Sequence, residues 1–166
     1  MERFYTDCLA FWRKTPRREQ ICCRAVALLP APVMLAYGIV CLWLLVSRDP
    51  RLLRYLLVPG AVLLATGIRR FLPAPRPFAV YGLVPLRPHA PNDSFPSRHT
   101  ASATVIALGT LWLGFWWGWV LVGLAVLVAL SRLVAALHFP RDLLGGAALG
   151  ALFAWVGFWL IPFPLV

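Results

Sequence analysis

The chain is 166 residues long, 61% hydrophobic and only 13% charged, with eight tryptophans and a formal charge of +10. A soluble domain of this size cannot hide that much apolar surface, so the composition describes an integral membrane protein with room for about five spans of roughly 20 residues. The basic excess admits nucleic acid, anionic lipid or a phosphate-bearing ligand, but the arginines are dispersed between apolar runs and form no basic helix face, which argues against nucleic acid. Cys8, Cys22, Cys23 and Cys41 lack metal-ligand spacing and read as inert thiols.

Residues 1–21 interleave Phe4, Tyr5, Leu9, Phe11 and Trp12 with Arg3, Arg13, Lys14, Arg17 and Arg18. That mixture suits an interfacial segment on the membrane surface; a cytoplasmic tail fits the same composition. It is too charged for a cleavable signal peptide. A first span is predicted over 25–46, with Pro30 and Pro32 as tolerated kinks. A basic turn (Arg48, Arg51, Arg54) follows, then a second span over roughly 53–69 that ends in Arg69 and Arg70. Residues 72–96 hold seven prolines, a density that predicts a loop without helix. Long ordered connectors of this kind are usually functional.

No residue from Ala101 to Leu130 is charged. As one helix this stretch would reach ~45 Å, beyond the hydrocarbon thickness. Gly114-Phe115-Trp116-Trp117-Gly118-Trp119 lies near its middle and offers a turn, so 98–138 is read as two antiparallel spans. The last span begins near Pro140, which suits a first helical turn, and runs to about 162. Gly146-x3-Gly150, continued by Ala154, offers a small-residue face for packing inside the bundle.

Folded this way, three basic clusters meet at one membrane face: Arg69-x6-Arg76-Pro77, Pro96-Ser97-Arg98-His99 and Ser131-Arg132-x5-His138-x3-Asp142. An arginine at the bilayer centre costs at least ~3 kcal/mol, so these cations belong at span ends, within reach of a headgroup. Ser97 is a good N-cap, and a helix N-terminus is an anion site; by itself the tetrapeptide reads more readily as a capped helix with a snorkelling Arg98. His138 and Asp142 are four apart and share a face on a continuous helix, although Pro140 places His138 at or just before the helix start. A carboxylate on one ring nitrogen fixes the tautomer and makes the other nitrogen a candidate nucleophile toward phosphorus. A lone pair of this kind would read as a structural tie. Arg132 supplies a planar guanidinium for bidentate phosphate contact. Arg69 and Arg76 taken singly, like Arg70, Arg87 and Arg141, are boundary cations, and His89 reads as solvated.

The order and spacing of the three clusters resemble the type 2 phosphatidic-acid phosphatase superfamily, which also includes vanadium haloperoxidases and glucose-6-phosphatase. Its signature is K-x6-R-P, P-S-G-H and S-R-x5-H-x3-D, and the third motif matches here at every defined position. The resemblance covers roughly residues 69–150. Arg69 stands where the family has lysine and Arg98 where it has glycine, which puts substrate preference in doubt rather than the chemistry. The resemblance implies a two-step phosphoryl transfer with no metal and no cofactor. His138 would attack phosphorus while Asp142 steadies its ring, and His99 would protonate the leaving oxygen and later help to activate water. Arg69, Arg76, Arg132, Ser97 and the Arg98 amide would hold the phosphate oxygens.

The expectation is therefore an all-α, polytopic bundle of about five transmembrane helices plus an N-terminal interfacial segment, one phosphatase domain over 1–166, multi-pass in the cell membrane. Its expected partners are the bilayer and a lipid phosphate or diphosphate, an isoprenoid carrier such as undecaprenyl diphosphate leading on family analogy. Phosphatidylglycerophosphate or phosphatidate is the runner-up. A non-catalytic lipid-phosphate-binding protein is the alternative of another class, and a vanadate-dependent peroxidase or a transporter fits the membrane composition and small span number less well. Apart from Arg69, Arg76, Arg98 and Arg132, nine basic residues fall on the cluster side and three on the other. That count points to a cytoplasmic pocket, whereas many members of the family it resembles work on the outer face.

Overall fold

The computed structural model describes residues 1–160, and these form helices joined by turns and one long loop. In chain order they are α1 (Glu2–Arg13), α2 (Pro16–Leu28), α3 (Pro30–Val46), α4 (Leu52–Tyr55), α5 (Val58–Phe71), α6 (Pro77–Val80), α7 (Arg98–Trp112), α8 (Gly118–Val134) and α9 (Pro140–Ala154). A π-helical stretch over Trp155–Leu160 extends α9. Among the described residues three helical runs are long and apolar enough to cross a membrane: Pro16–Val46, Leu52–Phe71 and Pro140–Leu160. Gly118–Val134 is a shorter apolar helix. Exposed Leu35, Leu63, Trp119 and Leu144 give the bundle an apolar outer surface.

The five expected spans thus become three full-length runs and two shorter helices, α7 and α8. Position explains the difference. With 15 residues α7 is about 22 Å long, and it lies in the middle of the bundle, packed against α3, α5, α8 and α9. Its buried side chains are mostly small: Ala101, Ala103, Ala107, Gly109 and Thr110 beside Val105 and Ile106. The turn into α8 falls where it was expected, with Gly114 at φ +88°, a conformation that L side chains resist.

Two features depart from the sequence reading. The first span reaches back to Pro16, because Thr15 accepts a hydrogen bond from the Arg18 amide and proline occupies the first helical turn. The loop predicted to be free of helix contains one helical turn, Pro77–Val80, where Pro77 again sits at a position whose amide needs no partner. Residues 161 and 162 of the predicted last span lie outside the described residues.

The amino-terminal segment is a docked helix. Tyr5 and Leu9 of α1 are buried against Cys22, Val26, Phe78 and Leu137, and Arg13 Nη2 donates to the Val84 carbonyl at 2.6 Å. Met1, Phe4 and Phe11 on its other face stay exposed, as an interfacial helix requires. At the opposite end of the bundle the Tyr55 hydroxyl donates to Thr110 Oγ1 at 3.0 Å, since the Thr110 proton is already given to the Ile106 carbonyl. Phe158 stacks on Tyr55 and Trp112 there.

The contact that matters for the site is α7 on α9. A Cβ added at Gly146 would lie 2.5 Å from the Ser97 carbonyl oxygen, and one at Gly150 would lie 2.5 Å from the Ala101 carbonyl oxygen. Backbone cannot move aside as a flexible side chain can, so the small-residue face expected to pack within the bundle does so at contact distance. Gly146→Ala should therefore destabilise the protein by about 1–3 kcal/mol, whereas Gly123→Ala, with nothing within 4 Å of the new methyl, should not. Thermal unfolding in detergent compares the two; equal melting temperatures would contradict the packing.

Candidate active site

Every residue expected at the site lies at the end of the bundle where α5, α7 and α8 terminate or begin and where α1 docks. Arg69 is in the last turn of α5, Arg132 in the last turn of α8, and Ser97, Arg98 and His99 open α7. Arg76 lies in the long loop, and His138 lies in the turn before α9, whose first turn carries Asp142. The chain leaves α8 at Val134 and reverses through Ala136, a non-glycine residue at φ +57°. His138 therefore lies in a bend outside the helix, and its relation to Asp142 depends on the turn.

Asp142 Oδ2 accepts the Phe139 amide at 2.8 Å, capping α9 from its third residue. Oδ2 stands 3.7 Å from His138 Nδ1, too far for a direct hydrogen bond. Ser94 fills the interval: its hydroxyl donates to Asp142 Oδ2 in a short contact and lies 3.3 Å from His138 Nδ1. The other ring nitrogen, Nε2, faces Arg76 Nη1 at 3.5 Å. Tyr5 adds a further hold, its hydroxyl donating to the His138 carbonyl at 3.1 Å. Burial pushes the His138 imidazole down to about 4; the nearby carboxylate of Asp142 pulls it up, and Arg76 pushes it further down. The ring is neutral at physiological pH.

The guanidinium groups of Arg69 and Arg76 are anchored on carbonyls. Arg69 Nε and Nη2 both donate to the Pro96 carbonyl, at 2.9 and 2.7 Å. Arg76 donates to the carbonyls of Leu137 at 3.0 Å and Asn92 at 3.3 Å. Arg132 is buried, and its Nε makes no hydrogen bond among the described residues. Ser97 caps α7, its hydroxyl oxygen accepting from the Thr100 amide and hydroxyl, which leaves its own proton free. The Ser97 amide donates to the Asp142 carbonyl at 2.9 Å, tying the second cluster to the third.

His99 is exposed on an open groove of about 390 Å³ that it lines with Arg98, Pro30, Val33, Met34 and Val62. Its imidazole is within Coulomb reach of Arg132, His138, Arg98 and Arg69. The structure thus gathers all three clusters, but with different closeness: Arg76 and His138 touch, Arg69 acts on the Pro96 carbonyl, and the Arg98 side chain lies out on the groove. His89, expected to be solvated, is half-buried with Nδ1 3.2 Å from the Arg87 carbonyl. Ser94 and Tyr5 were not singled out in the sequence. Ser94 reaches His138 across 44 residues and Tyr5 across 133, so no local period signals either.

The model for the PAP2 superfamily matches residues 51–164, and the chain belongs to that family. It is 36% identical over 84 residues to undecaprenyl-diphosphatase BcrC of Bacillus subtilis (strain 168), covering 51% of this chain and 44% of that protein. It is 44% identical over 63 residues to a putative undecaprenyl-diphosphatase, YbjG, of Escherichia coli (strain K12), covering 37% of this chain and 32% of that one. These matches span less than half the length of either relative. Among solved structures it is similar to Aquifex aeolicus LpxE (TM-score 0.66, 24% identity, 86% of each chain). It is also similar to a transmembrane PAP2-type phosphatidylglycerolphosphate phosphatase from Bacillus subtilis (TM-score 0.68, 23% identity, 94% of this chain and 81% of that one). At those identities the likeness is one of fold. With its apolar helices and this family membership, the chain is a multi-pass membrane protein.

The depressed His138 pKa has a consequence for stability. Between about 4 and the ordinary imidazole value near 6.5, the unfolded chain binds a proton at this residue and the folded chain does not. Its contribution is present above that window and is lost as pH falls through it. His138→Gln removes the titration, so the variant should lose less melting temperature than the parent on acidification through this range. Equal losses would mean the ring is not held neutral.

Proposed function

We propose that the protein is a lipid phosphatase that hydrolyses a phosphate or diphosphate ester of a membrane lipid through a phosphohistidine, without a metal ion. The observation that carries this reading is a neutral, buried His138 with Nε2 facing Arg76, where the guanidinium groups of Arg69 and Arg76 are held by carbonyls rather than carboxylates. Carbonyls orient those cations without neutralising them. An incoming tetrahedral anion supplies the missing negative charge and reaches the nucleophile at the same place.

In this mechanism the Nε2 lone pair of His138 attacks phosphorus, the bond from phosphorus to the leaving oxygen breaks, and His99 delivers a proton to that oxygen. His99 then takes a proton from water, whose oxygen attacks the phosphohistidine; the phosphorus–nitrogen bond breaks and its electron pair returns to Nε2. Asp142 keeps the ring oriented throughout. Arg76 and Arg132, with the Nη1 donors that Arg69 does not spend on Pro96, bind the equatorial oxygens. The Ser97 hydroxyl and the Arg98 amide at the start of α7 add donors. Phosphoryl transfer depends chiefly on positioning and charge stabilisation, so a guanidinium cluster serves where other enzymes use magnesium.

For the substrate, the partial matches to proteins named as undecaprenyl-diphosphatases favour an isoprenoid carrier diphosphate. Phosphatidylglycerophosphate and phosphatidate are the competing substrates. Purified protein in excess chelator, offered all three lipids, should release phosphate fastest from undecaprenyl diphosphate. A strict magnesium requirement would contradict the mechanism, and no release from any lipid phosphate would favour a binding protein. His138→Ala should lose turnover by at least about a thousandfold while remaining folded, and retained turnover would remove His138 as nucleophile.

A further inference from the structure

We propose that Ser94 is the positioning residue through which Asp142 acts on the nucleophile: His138 Nδ1–H donates to Ser94 Oγ, the Ser94 hydroxyl donates to Asp142 Oδ2, and the Nε2 lone pair is left bare. This inference rests on the phosphohistidine reading above and deepens it. Its first support is distance. The 3.7 Å between His138 Nδ1 and Asp142 Oδ2 exceeds a hydrogen bond, while Ser94 Oγ is 3.3 Å from the ring and in short contact with the carboxylate.

Proton counting gives the direction. An ionised carboxylate only accepts, and Asp142 Oδ2 already accepts from the Phe139 amide. The short contact with Ser94 therefore takes the single serine proton. Ser94 Oγ then has only lone pairs to offer the ring, which fixes the proton on Nδ1. The reverse assignment, with Ser94 donating to Nδ1, would place two bare oxygens against each other in a fully buried site.

The same geometry places Ser94 firmly. It is 0% exposed, and its amide donates to the Ala74 carbonyl at 2.9 Å. The Arg76 amide donates to the Pro91 carbonyl at 2.8 Å. The two bonds close the proline-rich loop on itself, so the segment that supplies Arg76 to one side of the His138 ring supplies Ser94 to the other. When Nε2 forms its bond to phosphorus, the ring becomes cationic. A serine oxygen polarised toward a carboxylate stabilises that charge. No proton leaves Nδ1 in either step, and Ser94 begins and ends as a neutral hydroxyl.

The test uses full-length protein in detergent, farnesyl diphosphate as probe, and rapid acid-free quenching to follow the phosphoenzyme. Ser94→Ala, and Ser94→Cys as a near-isosteric variant with a weak donor, should both form the phosphoenzyme about 10- to 100-fold more slowly, the loss of one hydrogen bond to a charged group. kcat should fall in parallel with KM within about threefold of the parent. If Ser94→Ala folds poorly, Ser94→Cys alone decides. Undiminished phosphoenzyme formation in a folded variant would overturn the role of Ser94, as would a change confined to KM. A different outcome separates this from the underlying reading. Absence of an acid-labile phosphoenzyme in the parent, or its persistence in His138→Ala, would remove the phosphohistidine itself.

Discussion

Burying like charges together is the constraint around which this end of the molecule is organised. Among the described residues the buried ionic side chains are Arg54, Arg69, Arg76, Arg132 and Asp142. Arg54 belongs to the other end, where it donates to the Phe158 carbonyl. That leaves three guanidinium groups and one carboxylate at the site. Burying an uncompensated charge is costly, and carbonyl dipoles only partly offset it. The Asp142 carboxylate is itself engaged by Ser94 and the Phe139 amide. A cluster so arranged is completed by an anion, and a phosphate at a membrane surface has the size, charge and acceptor geometry to do so.

Keeping those cations together requires a rigid frame, and each tie in it can be named. Arg69 holds the Pro96 carbonyl, and the Ser97 amide holds the Asp142 carbonyl. Gly146 and Gly150 let α9 lie against the backbone of α7. Tyr5 brings α1 over the His138 turn. The motif residues thus divide their work. Arg69 braces the start of α7 in addition to its proposed phosphate contact, which gives a guanidinium at that position, with its two parallel donors, a structural advantage over an ammonium group.

The three motifs and the antiparallel pairing of α7 with α8 were legible because each depended on chemistry with a short period or a strong punctuator: the uncharged run 101–130, Gly114, Pro140, and the spacing from Ser131 to Asp142. What could not be read was whatever depended on the shape of a turn. The His138–Asp142 spacing suggests helix neighbours, but Ala136 at φ +57° takes His138 off the helix and opens the gap that Ser94 occupies. The helical turn at Pro77–Val80 is hidden in the sequence because a dense run of prolines reads as a breaker, whereas Pro77 serves as a starter. Tyr5 looked like one more interfacial aromatic; only the fold carries it to His138.

The groove beside His99, walled by Pro30, Val33, Met34 and Val62, opens on the apolar flank between α3, α5 and α7. A lipid entering from the bilayer would meet apolar side chains first and arginines last, which suits a substrate with a long tail and an anionic head. The account stands on one anion being surrounded by parts of the chain that are far apart in sequence. The most direct measurement is an experimental structure of the protein soaked with a tetrahedral oxyanion. The account predicts density within hydrogen-bonding distance of Arg76 and Arg132, next to His138 Nε2 and at the start of α7. An anion bound elsewhere, with Arg76 and Arg132 turned away from His138, would contradict it.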